Sequence, residues 1–130
     1  MKNLVKHNNT FYLSDVINTP NGETRKVSGD YTILKGNYPH NRFKSNIVIY
    51  GRYSCPYCIG TVEFMKTKPA LYKKLIYVEV DMKDEPMLSK DILLKNIHGD
   101  IGAHSTVPII FDKGTFVGGS TDAKKYFTKD

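Results

Sequence analysis

Two cysteines separated by only two residues are the feature of this sequence best suited to chemistry. Cys55 and Cys58 are the only cysteines in the chain, and they lie in the segment RYSCPYC at residues 52–58. A thiolate attacks a disulfide, and two cysteines at this spacing can bring their sulfur atoms close enough to bond. The pair therefore predicts a thiol–disulfide redox site.

A zinc site is the alternative chemistry for this pair. It would need further ligands, and the candidates are His98 and His104, which are six residues apart. Zinc sites favour tighter histidine spacing, and turn residues rather than Pro-Tyr between the cysteines. The sequence therefore favours redox chemistry and predicts no metal site.

A buried strand and a helix are predicted on either side of the cysteine pair. Residues 47–50, IVIY, form a continuous apolar run typical of a strand buried on both faces. From Ile59 onward, apolar residues recur every three positions, and Pro69 limits the helix that this pattern predicts. The cysteines therefore lie where a strand passes into a helix.

This junction should activate the first cysteine. The start of a helix presents free N–H groups and a partial positive charge, which stabilise an anion. Arg52 adds a nearby cation, and Pro56 is tolerated in the first turn because its missing N–H has no partner there. We therefore expect a lowered pKa for Cys55, while Cys58, one turn inward, can resolve a mixed disulfide on Cys55.

The rest of residues 46–130 alternates between predicted strands and helices. Residues 76–80 predict a second strand, parallel to the first in a βαβ unit. Residues 86–97 predict a second helix with a proline near its start. Residues 107–111 and 115–117 predict a hairpin of two strands, followed by a short final helix. The predicted order is β-α-β-α-β-β-α.

Residues 1–45 differ from the remainder and are predicted to be an N-terminal extension that is partly ordered. They are rich in Asn, Gly and Lys, and they contain two strand-like stretches at residues 10–16 and 31–35. Seven Lys or Arg residues against three Asp or Glu residues place most of the net charge of +6 in this region. We expect the charge mainly to form a solvated surface.

Length and composition exclude several classes of protein. A chain of 130 residues and 14.8 kDa is the size of one domain, and 40% hydrophobic with 25% charged residues is typical of a globular protein rather than a disordered one. No apolar run approaches the roughly 18 residues that span a bilayer, and residues 1–18 lack a secretory signal pattern. The chain contains no run of five or more Lys or Arg residues, so the sequence does not predict a nucleic-acid-binding arm.

Two further motifs follow the cysteine pair. TVP at residues 106–108 begins the third predicted strand, where proline is tolerated, and a cis bond there would present the Val107 backbone to a ligand. GGSTD at residues 118–122 opens the final helix, and its glycines permit a close approach of the backbone. Thr121 or Asp122 could cap this helix.

Together these residues resemble the dithiol glutaredoxins. The Cys-Pro-Tyr-Cys motif at residues 55–58, the strand that leads into it, and the motifs at 106–108 and 118–122 match that family in order and spacing over residues 46–130. The resemblance implies an α/β, thioredoxin-like fold, with a four-stranded mixed sheet flanked by helices and a cis bond before Pro108. It also implies a glutathione-dependent thiol-disulfide oxidoreductase that reduces protein disulfides and protein–glutathione mixed disulfides.

The resemblance further implies which residues act. In the family the first cysteine is the nucleophile and the second resolves disulfides, so Cys55 and Cys58 take these roles. Glutathione donates the electrons and lies in a groove beside the cysteines. The residues that the resemblance places in this groove are Arg52, Tyr57, Thr106, Val107, Pro108, Gly119, Thr121 and Asp122. Arg52 can meet a carboxylate of glutathione, and Asp122 can meet its ammonium group. His104 could line the groove or be an exposed loop residue.

Two other functions remain open at this point. One is a thioredoxin-like electron donor that is recharged by a reductase, although the residues before Cys55 lack the tryptophan usual in thioredoxins. The other is a carrier of a glutathione-ligated [2Fe–2S] cluster. Glutaredoxins of that kind mostly have one cysteine in the motif or lack its proline, so Pro56 argues against the carrier.

The expected partners are glutathione and proteins that are glutathionylated or contain disulfides. We expect no nucleic-acid or membrane partner. The expected state is a monomer in a reducing compartment such as the cytoplasm, where a glutathione pool operates. The sequence leaves the role of residues 1–45 open.

Overall fold

A mixed β-sheet with helices on both faces organises the chain. The computed structural model describes residues 1–7, 10–16, 24–28, 32–81 and 85–128. In this part of the chain the strands are β1 (Lys2–His7), β2 (Thr10–Val16), β3 (Thr24–Ser28), β4 (Ile47–Gly51), β5 (Leu75–Glu79), β6 (Ile109–Asp112) and β7 (Thr115–Gly118). The helices are α1 (Pro39–Arg42), α2 (Pro56–Lys66), α3 (Pro69–Lys74), α4 (Lys90–Asn96), α5 (His98–Ile101) and α6 (Ser120–Thr128), with a 3-10 turn at Pro86–Leu88.

The strand order is β3-β2-β1-β5-β4-β6-β7. β4 pairs in parallel with β5 and antiparallel with β6, which in turn pairs antiparallel with β7. These four strands form the mixed sheet that the resemblance implies, and the thioredoxin-like α/β class is confirmed. The predicted count of four strands is wrong, because β1 adds in parallel to the edge of β5 and carries β2 and β3 with it. The described sheet therefore has seven strands.

The central strand β4 is buried along its whole length, as its continuous apolar run predicts. Ile47 and Ile49 face one core cluster, which contains side chains of α2, α3 and α6. Val48 and Tyr50 face a second cluster, which contains side chains of α4, α5 and the N-terminal region. The alternation of side chains along the strand thus builds an apolar layer on each face of the sheet.

The N-terminal region contributes to the second core cluster. Leu4, Phe11 and Leu13 from β1 and β2 are buried there, together with Ile33 and Tyr38. The strand predicted at residues 10–16 is confirmed as β2. In the strand predicted at residues 31–35, the described residues 32–35 are not extended into a strand, because the chain turns at Lys35 and Gly36.

The structure confirms one predicted helix boundary, adds a helix that was not predicted, and divides another predicted helix. Pro69 limits α2 but also begins α3, since proline fits the first turn of a new helix. The helix predicted over residues 86–97 is divided into a 3-10 turn and α4 by Ser89, whose backbone is extended with ψ of 143°.

Within the described residues, no helix is long and apolar enough to cross a bilayer.

Candidate active site

Cys55 lies at the start of α2, immediately before its first helical residue. Its backbone is extended, and its carbonyl accepts the first bond of the helix from the N–H of Ile59 at 3.0 Å. A preceding turn, in which the N–H of Cys55 donates to the carbonyl of Arg52 at 3.0 Å, brings the chain from β4 to this position. Cys55 is half-buried and Cys58 is fully buried, and both are free thiols.

The surroundings give the two cysteines opposite acidities. Burial opposes ionisation of Cys55, but hydrogen bonds from the backbone and thiol of Cys58 and from the backbone of Tyr57, with the charge of Arg52, bring the pKa of Cys55 below its ordinary value. Burial raises the pKa of Cys58 to about 11. The predicted lowering of the Cys55 pKa therefore has a physical basis in this junction, and Cys55 is the more acidic of the two thiols.

A cavity of about 480 Å³ opens beside the first turn of α2. Seven of the eight predicted groove residues line it: Tyr57, Thr106, Val107, Pro108, Gly119, Thr121 and Asp122. The bond between Val107 and Pro108 is cis, as the resemblance implies. The start of α2, the loop before β6 and the start of α6 thus meet around one cavity.

Arg52 is placed differently from the other predicted groove residues. Its guanidinium forms an ion pair with Asp81 and is absent from the lining of this cavity. Asp81 in turn accepts a hydrogen bond from the backbone N–H of Lys90 at 2.9 Å. The arginine therefore links the residues after β5 to the cysteine loop, and its charge still acts on Cys55.

The cavity is also lined by Lys90 and Ser120, which were not predicted from the sequence, and by His104, for which a place in the groove was one of two alternatives. Lys90 supplies a cation at the start of α4. His104 is half-buried rather than an exposed loop residue, and its ring contacts Phe116 at a centroid distance of 5.2 Å. Its Nε2 is buried and has no hydrogen-bond partner among the described residues. Ser120 belongs to the motif at residues 118–122, whereas no motif includes Lys90, so only the tertiary fold could identify Lys90.

Hydrogen bonds hold two walls of the cavity together. The buried Thr61 of α2 donates to the carbonyl of Tyr57 at 2.8 Å and contacts the hydroxyl of Ser120 in α6 at 3.0 Å. At the start of α6, the N–H of Gly119 donates to the carboxylate of Asp122 at 3.3 Å. Asp122, in the first turn of α6, thus satisfies the N–H of the residue that precedes the helix, and it remains solvent-exposed at the cavity.

The charges around the cavity fit a small zwitterion. Glutathione carries two carboxylates and one ammonium group. Lys90 offers a cation, Asp122 offers an anion, and the N–H groups at the start of α6 can donate hydrogen bonds to a carboxylate. Among the described residues, no three His, Cys, Asp or Glu side chains are grouped as a metal site would require.

Known proteins with similar sequences include a glutaredoxin from Vibrio cholerae serotype O1, which is 36% identical over 80 residues. That match covers 62% of this chain and 87% of the relative. Hybrid peroxiredoxin hyPrx5 from Haemophilus influenzae is 31% identical over 106 residues, which cover 82% of this chain and 39% of the relative. The chain thus spans less than half the length of this larger relative. No protein-family model matches the chain.

Among solved structures, the fold is similar to that of the dithiolic glutaredoxin 2-C-Grx1 from Trypanosoma brucei brucei. The TM-score is 0.53 and the sequences are 29% identical, over 72% of this chain and 89% of that chain. The sequence match to the bacterial glutaredoxin covers 87% of that relative, and the structural match is to another glutaredoxin. On both grounds, the chain belongs to the glutaredoxin family.

Proposed function

We propose that the protein is a glutathione-dependent thiol-disulfide oxidoreductase. The observation that carries this proposal is the position of Cys55 at the start of α2, where its pKa is lowered, beside a cavity of mixed charge. A partly accessible thiol of lowered pKa is the nucleophile that disulfide exchange requires. Cys58, buried one turn further along α2, is the resolving thiol.

With a protein–glutathione mixed disulfide, the Cys55 thiolate attacks the sulfur of the glutathione moiety. A disulfide between Cys55 and glutathione forms, the bond to the protein breaks, and the protein leaves as a thiolate that takes a proton from water. A glutathione thiolate then attacks the glutathione sulfur of this intermediate. Glutathione disulfide is released, and Cys55 returns to the thiolate.

With a protein disulfide, Cys55 attacks one sulfur and Cys58 completes the reaction. The Cys58 thiolate attacks Cys55 in the mixed disulfide, a bond between the two cysteines forms, and the protein leaves reduced. Two glutathione molecules then reduce the Cys55–Cys58 disulfide in succession. Only this second type of substrate requires Cys58.

The cavity lined by Tyr57, Val107 and Asp122 is the proposed glutathione site. In this arrangement Asp122 binds the ammonium group, the start of α6 binds the adjacent carboxylate, and the backbone of Val107 pairs with the tripeptide. Lys90, rather than Arg52, binds the second carboxylate, because Lys90 lines the cavity and the guanidinium of Arg52 is paired with Asp81.

Turnover of a small glutathione mixed disulfide in the wild type and two cysteine variants tests the function. We expect wild type and Cys58→Ser to be active with glutathione, and Cys55→Ser to be inactive, because only Cys55 is needed for this substrate. Retained turnover in Cys55→Ser would refute its role as nucleophile. Inactivity of all three proteins, with activity of the wild type in the presence of thioredoxin reductase, would instead support a thioredoxin-like electron donor.

Variants of Lys90 and Asp122 test the glutathione site. We expect Lys90→Ala and Asp122→Ala each to raise the KM for the mixed disulfide about tenfold, which corresponds to one charged hydrogen bond. Lys73, an exposed cation on α3, provides a matched control, and Lys73→Ala should leave KM unchanged. An equal effect of Lys73→Ala would show that only net charge matters, and would refute the site.

We also infer that a peroxiredoxin is one protein substrate. The match with the hybrid peroxiredoxin extends over 106 residues. The segment 46–130 is shorter than this match, so the match includes part of residues 1–45. The peroxide-reactive cysteine of a peroxiredoxin is oxidised to a sulfenic acid, which condenses with thiols to disulfides. We expect the protein to couple glutathione oxidation to peroxide reduction by a peroxiredoxin, and Cys55→Ser to abolish this coupling. Equal glutathione oxidation with and without the protein would exclude this substrate.

The remaining expectations about partners and location follow from this function. A monomer suffices, because both cysteines and the proposed glutathione site belong to one chain. A reducing compartment such as the cytoplasm would keep the thiols reduced through its glutathione pool.

A further inference from the structure

A buried hydroxyl group on β5 has no obvious partner. The side chain of Tyr77 is 1% exposed, and its hydroxyl has no hydrogen-bond partner among the described residues. A buried donor without a partner is uncommon in folded proteins and is destabilising. Its presence at this position therefore calls for a physical explanation.

The sulfur of Cys58 lies where such a partner is needed. A Cβ atom on Gly51 would be 2.7 Å from the Tyr77 hydroxyl oxygen and 2.9 Å from the Cys58 sulfur. The two atoms thus approach the same point over the bare Cα of Gly51. The sulfur already lies 3.4 Å from the backbone N–H of Arg52, which donates to it, and a thiolate can accept a further hydrogen bond.

Neighbouring residues hold the Tyr77 ring in this position. The ring of Tyr53 stacks on it at a centroid distance of 4.7 Å. Tyr53 is fixed in turn, because its backbone N–H donates to Glu79 at 3.0 Å and its hydroxyl donates to Asn3 of β1. Asn3 is also the register partner of Tyr77 across β1 and β5. The N-terminal strand therefore helps to close this side of the cysteine site.

We propose that Tyr77 is a positioning residue for Cys58, and that its hydroxyl donates a hydrogen bond to the Cys58 thiolate during the resolving step. The inference rests on the proposed function, because it concerns the attack of Cys58 on a mixed disulfide of Cys55. In that step the Cys55–Cys58 bond forms and the bond from Cys55 to the substrate breaks. The substrate leaves as a thiolate, and the proton lost earlier by Cys58 passes to water.

The acidities of the two groups agree with this role. Burial raises the pKa of Cys58 to about 11, while the hydrogen bond from the Arg52 backbone and the nearby Tyr77 hydroxyl act in the opposite direction. Burial and the neighbouring charge of Cys58 hold the pKa of Tyr77 well above its ordinary value. The raised pKa keeps the proton on Tyr77 at neutral pH, so its hydroxyl can act as a donor.

The variant Tyr77→Phe tests the proposal, because it removes the hydroxyl and keeps the ring. Reduced protein is mixed with the chromogenic disulfide dithiobis-nitrobenzoate, which releases one coloured thiolate when Cys55 attacks and a second when Cys58 closes the disulfide. We expect Tyr77→Phe to leave the first phase unchanged and to slow the second about tenfold, the effect of losing one charged hydrogen bond. The midpoint of its pH profile should also move to higher pH.

Tyr126→Phe, which removes an exposed tyrosine hydroxyl on α6, should alter neither phase and controls for loss of a hydroxyl. A closure rate and pH midpoint equal to those of the wild type in Tyr77→Phe would overturn the proposal. If Tyr77→Phe does not fold, 4-fluorophenylalanine at position 77 keeps the ring and replaces the hydroxyl with an atom that cannot donate a hydrogen bond. It should slow closure and raise the pH midpoint, and an unchanged rate and midpoint would overturn the proposal.

The closure assay needs no glutathione, so it separates this inference from the proposed function. Absence of glutathione turnover in wild type and Cys58→Ser would refute the function while leaving the closure measurement valid. Normal glutathione turnover with no effect of Tyr77→Phe on closure would refute the role of Tyr77 alone.

Discussion

Gly51 shows how one residue can set the geometry of the cysteine site. It is buried at the end of β4, and the volume that a side chain would fill is occupied by the Cys58 sulfur and the Tyr77 hydroxyl. The lack of a side chain is needed here because of packing rather than backbone conformation. The sequence alone shows only a glycine between a strand and Arg52, so this requirement could not be predicted from it.

Alanine substitutions at two glycines should have opposite effects on stability. Gly51→Ala should lower the free energy of unfolding by about 1–3 kcal/mol, since its Cβ would overlap the sulfur and the hydroxyl. A Cβ atom added at Gly60, in α2, would meet open space. Gly60→Ala should therefore raise the free energy of unfolding by about 0.5–1 kcal/mol. Urea unfolding of the three proteins measures both changes. A stabilising Gly51→Ala would show that the cysteine site is more loosely packed than described.

The positions of many site residues were predictable, because short motifs determine the local backbone conformation of the residues within them. The motif at residues 118–122 lies at the start of α6, and the cysteine pair lies at the start of α2. Both placements follow from local sequence. The position of Arg52 was less predictable, because its partner Asp81 follows a different strand. Lys90 and His104 join the site only through the packing of α4 and the loop before β6.

At the scale of elements, His40 connects the N-terminal region to both the sheet and a helix. It is 1% exposed and stacks on Phe111 of β6 at a centroid distance of 3.9 Å. Its Nε2 lies 3.0 Å from the carboxylate of Asp100 in α5, and its Nδ1 lies 2.7 Å from the hydroxyl of Tyr50 in β4. With Nε2 donating to the carboxylate, Nδ1 accepts from the tyrosine. One neutral histidine thus joins four elements.

This network should make stability depend on pH. Burial lowers the pKa of His40 below its usual 6.5, although Asp100 acts in the opposite direction. The unfolded chain therefore binds a proton at this histidine more readily than the native protein does. The stabilisation is present above about pH 6.5 and is lost as the pH falls through the lower, native pKa.

Urea unfolding from pH 7 to about pH 5 in wild type and His40→Phe measures this contribution. Comparison of the two proteins is needed because carboxylates also begin to titrate in this range. The free energy of unfolding should fall more steeply with decreasing pH in the wild type than in the variant, although the variant is less stable at pH 7. A steeper fall in His40→Phe would contradict the direction of the pKa shift.

Element types were predictable where a strong local pattern coincides with burial. The apolar run of β4, the hairpin of β6 and β7, and the period of α2 all gave the correct type of element. α3 and the division of the helix around Ser89 were not predictable, because proline both ends and begins helices and Ser89 suits a helix boundary as well as an interior. β1 and β3 lack a clear alternation of apolar residues, and they are strands because their neighbours pair with them.

At the scale of the whole molecule, the N-terminal region and residues 46–130 share one apolar cluster. Leu4, which is 2% exposed, lies in the same cluster as Val48 of β4 and Leu93 of α4. β1 also covers the backbone edge of β5 that would otherwise be open to other chains. We therefore expect the whole molecule to unfold in one cooperative transition.

Substitution of Leu4 tests this expectation. Leu4→Ala should lower the free energy of unfolding by about 2–5 kcal/mol, as for other buried leucines. Leu34 is 57% exposed and provides the control, since Leu34→Ala should change the value by less than about 0.5 kcal/mol. Urea unfolding followed by circular dichroism and tyrosine fluorescence should give coincident transitions. A separate early transition in Leu4→Ala would show that the N-terminal region folds independently.

In the proposed function, the Cys55 thiolate exchanges with glutathione beside a site that binds the tripeptide. Trapping the intermediate tests this exchange: the variant Cys58→Ser is incubated with glutathione disulfide and analysed by intact mass and peptide mapping. We predict one glutathione per chain, attached at Cys55 and removed by added glutathione. A variant that remains unmodified under these conditions, or that carries a disulfide which added glutathione does not remove, would contradict the claim.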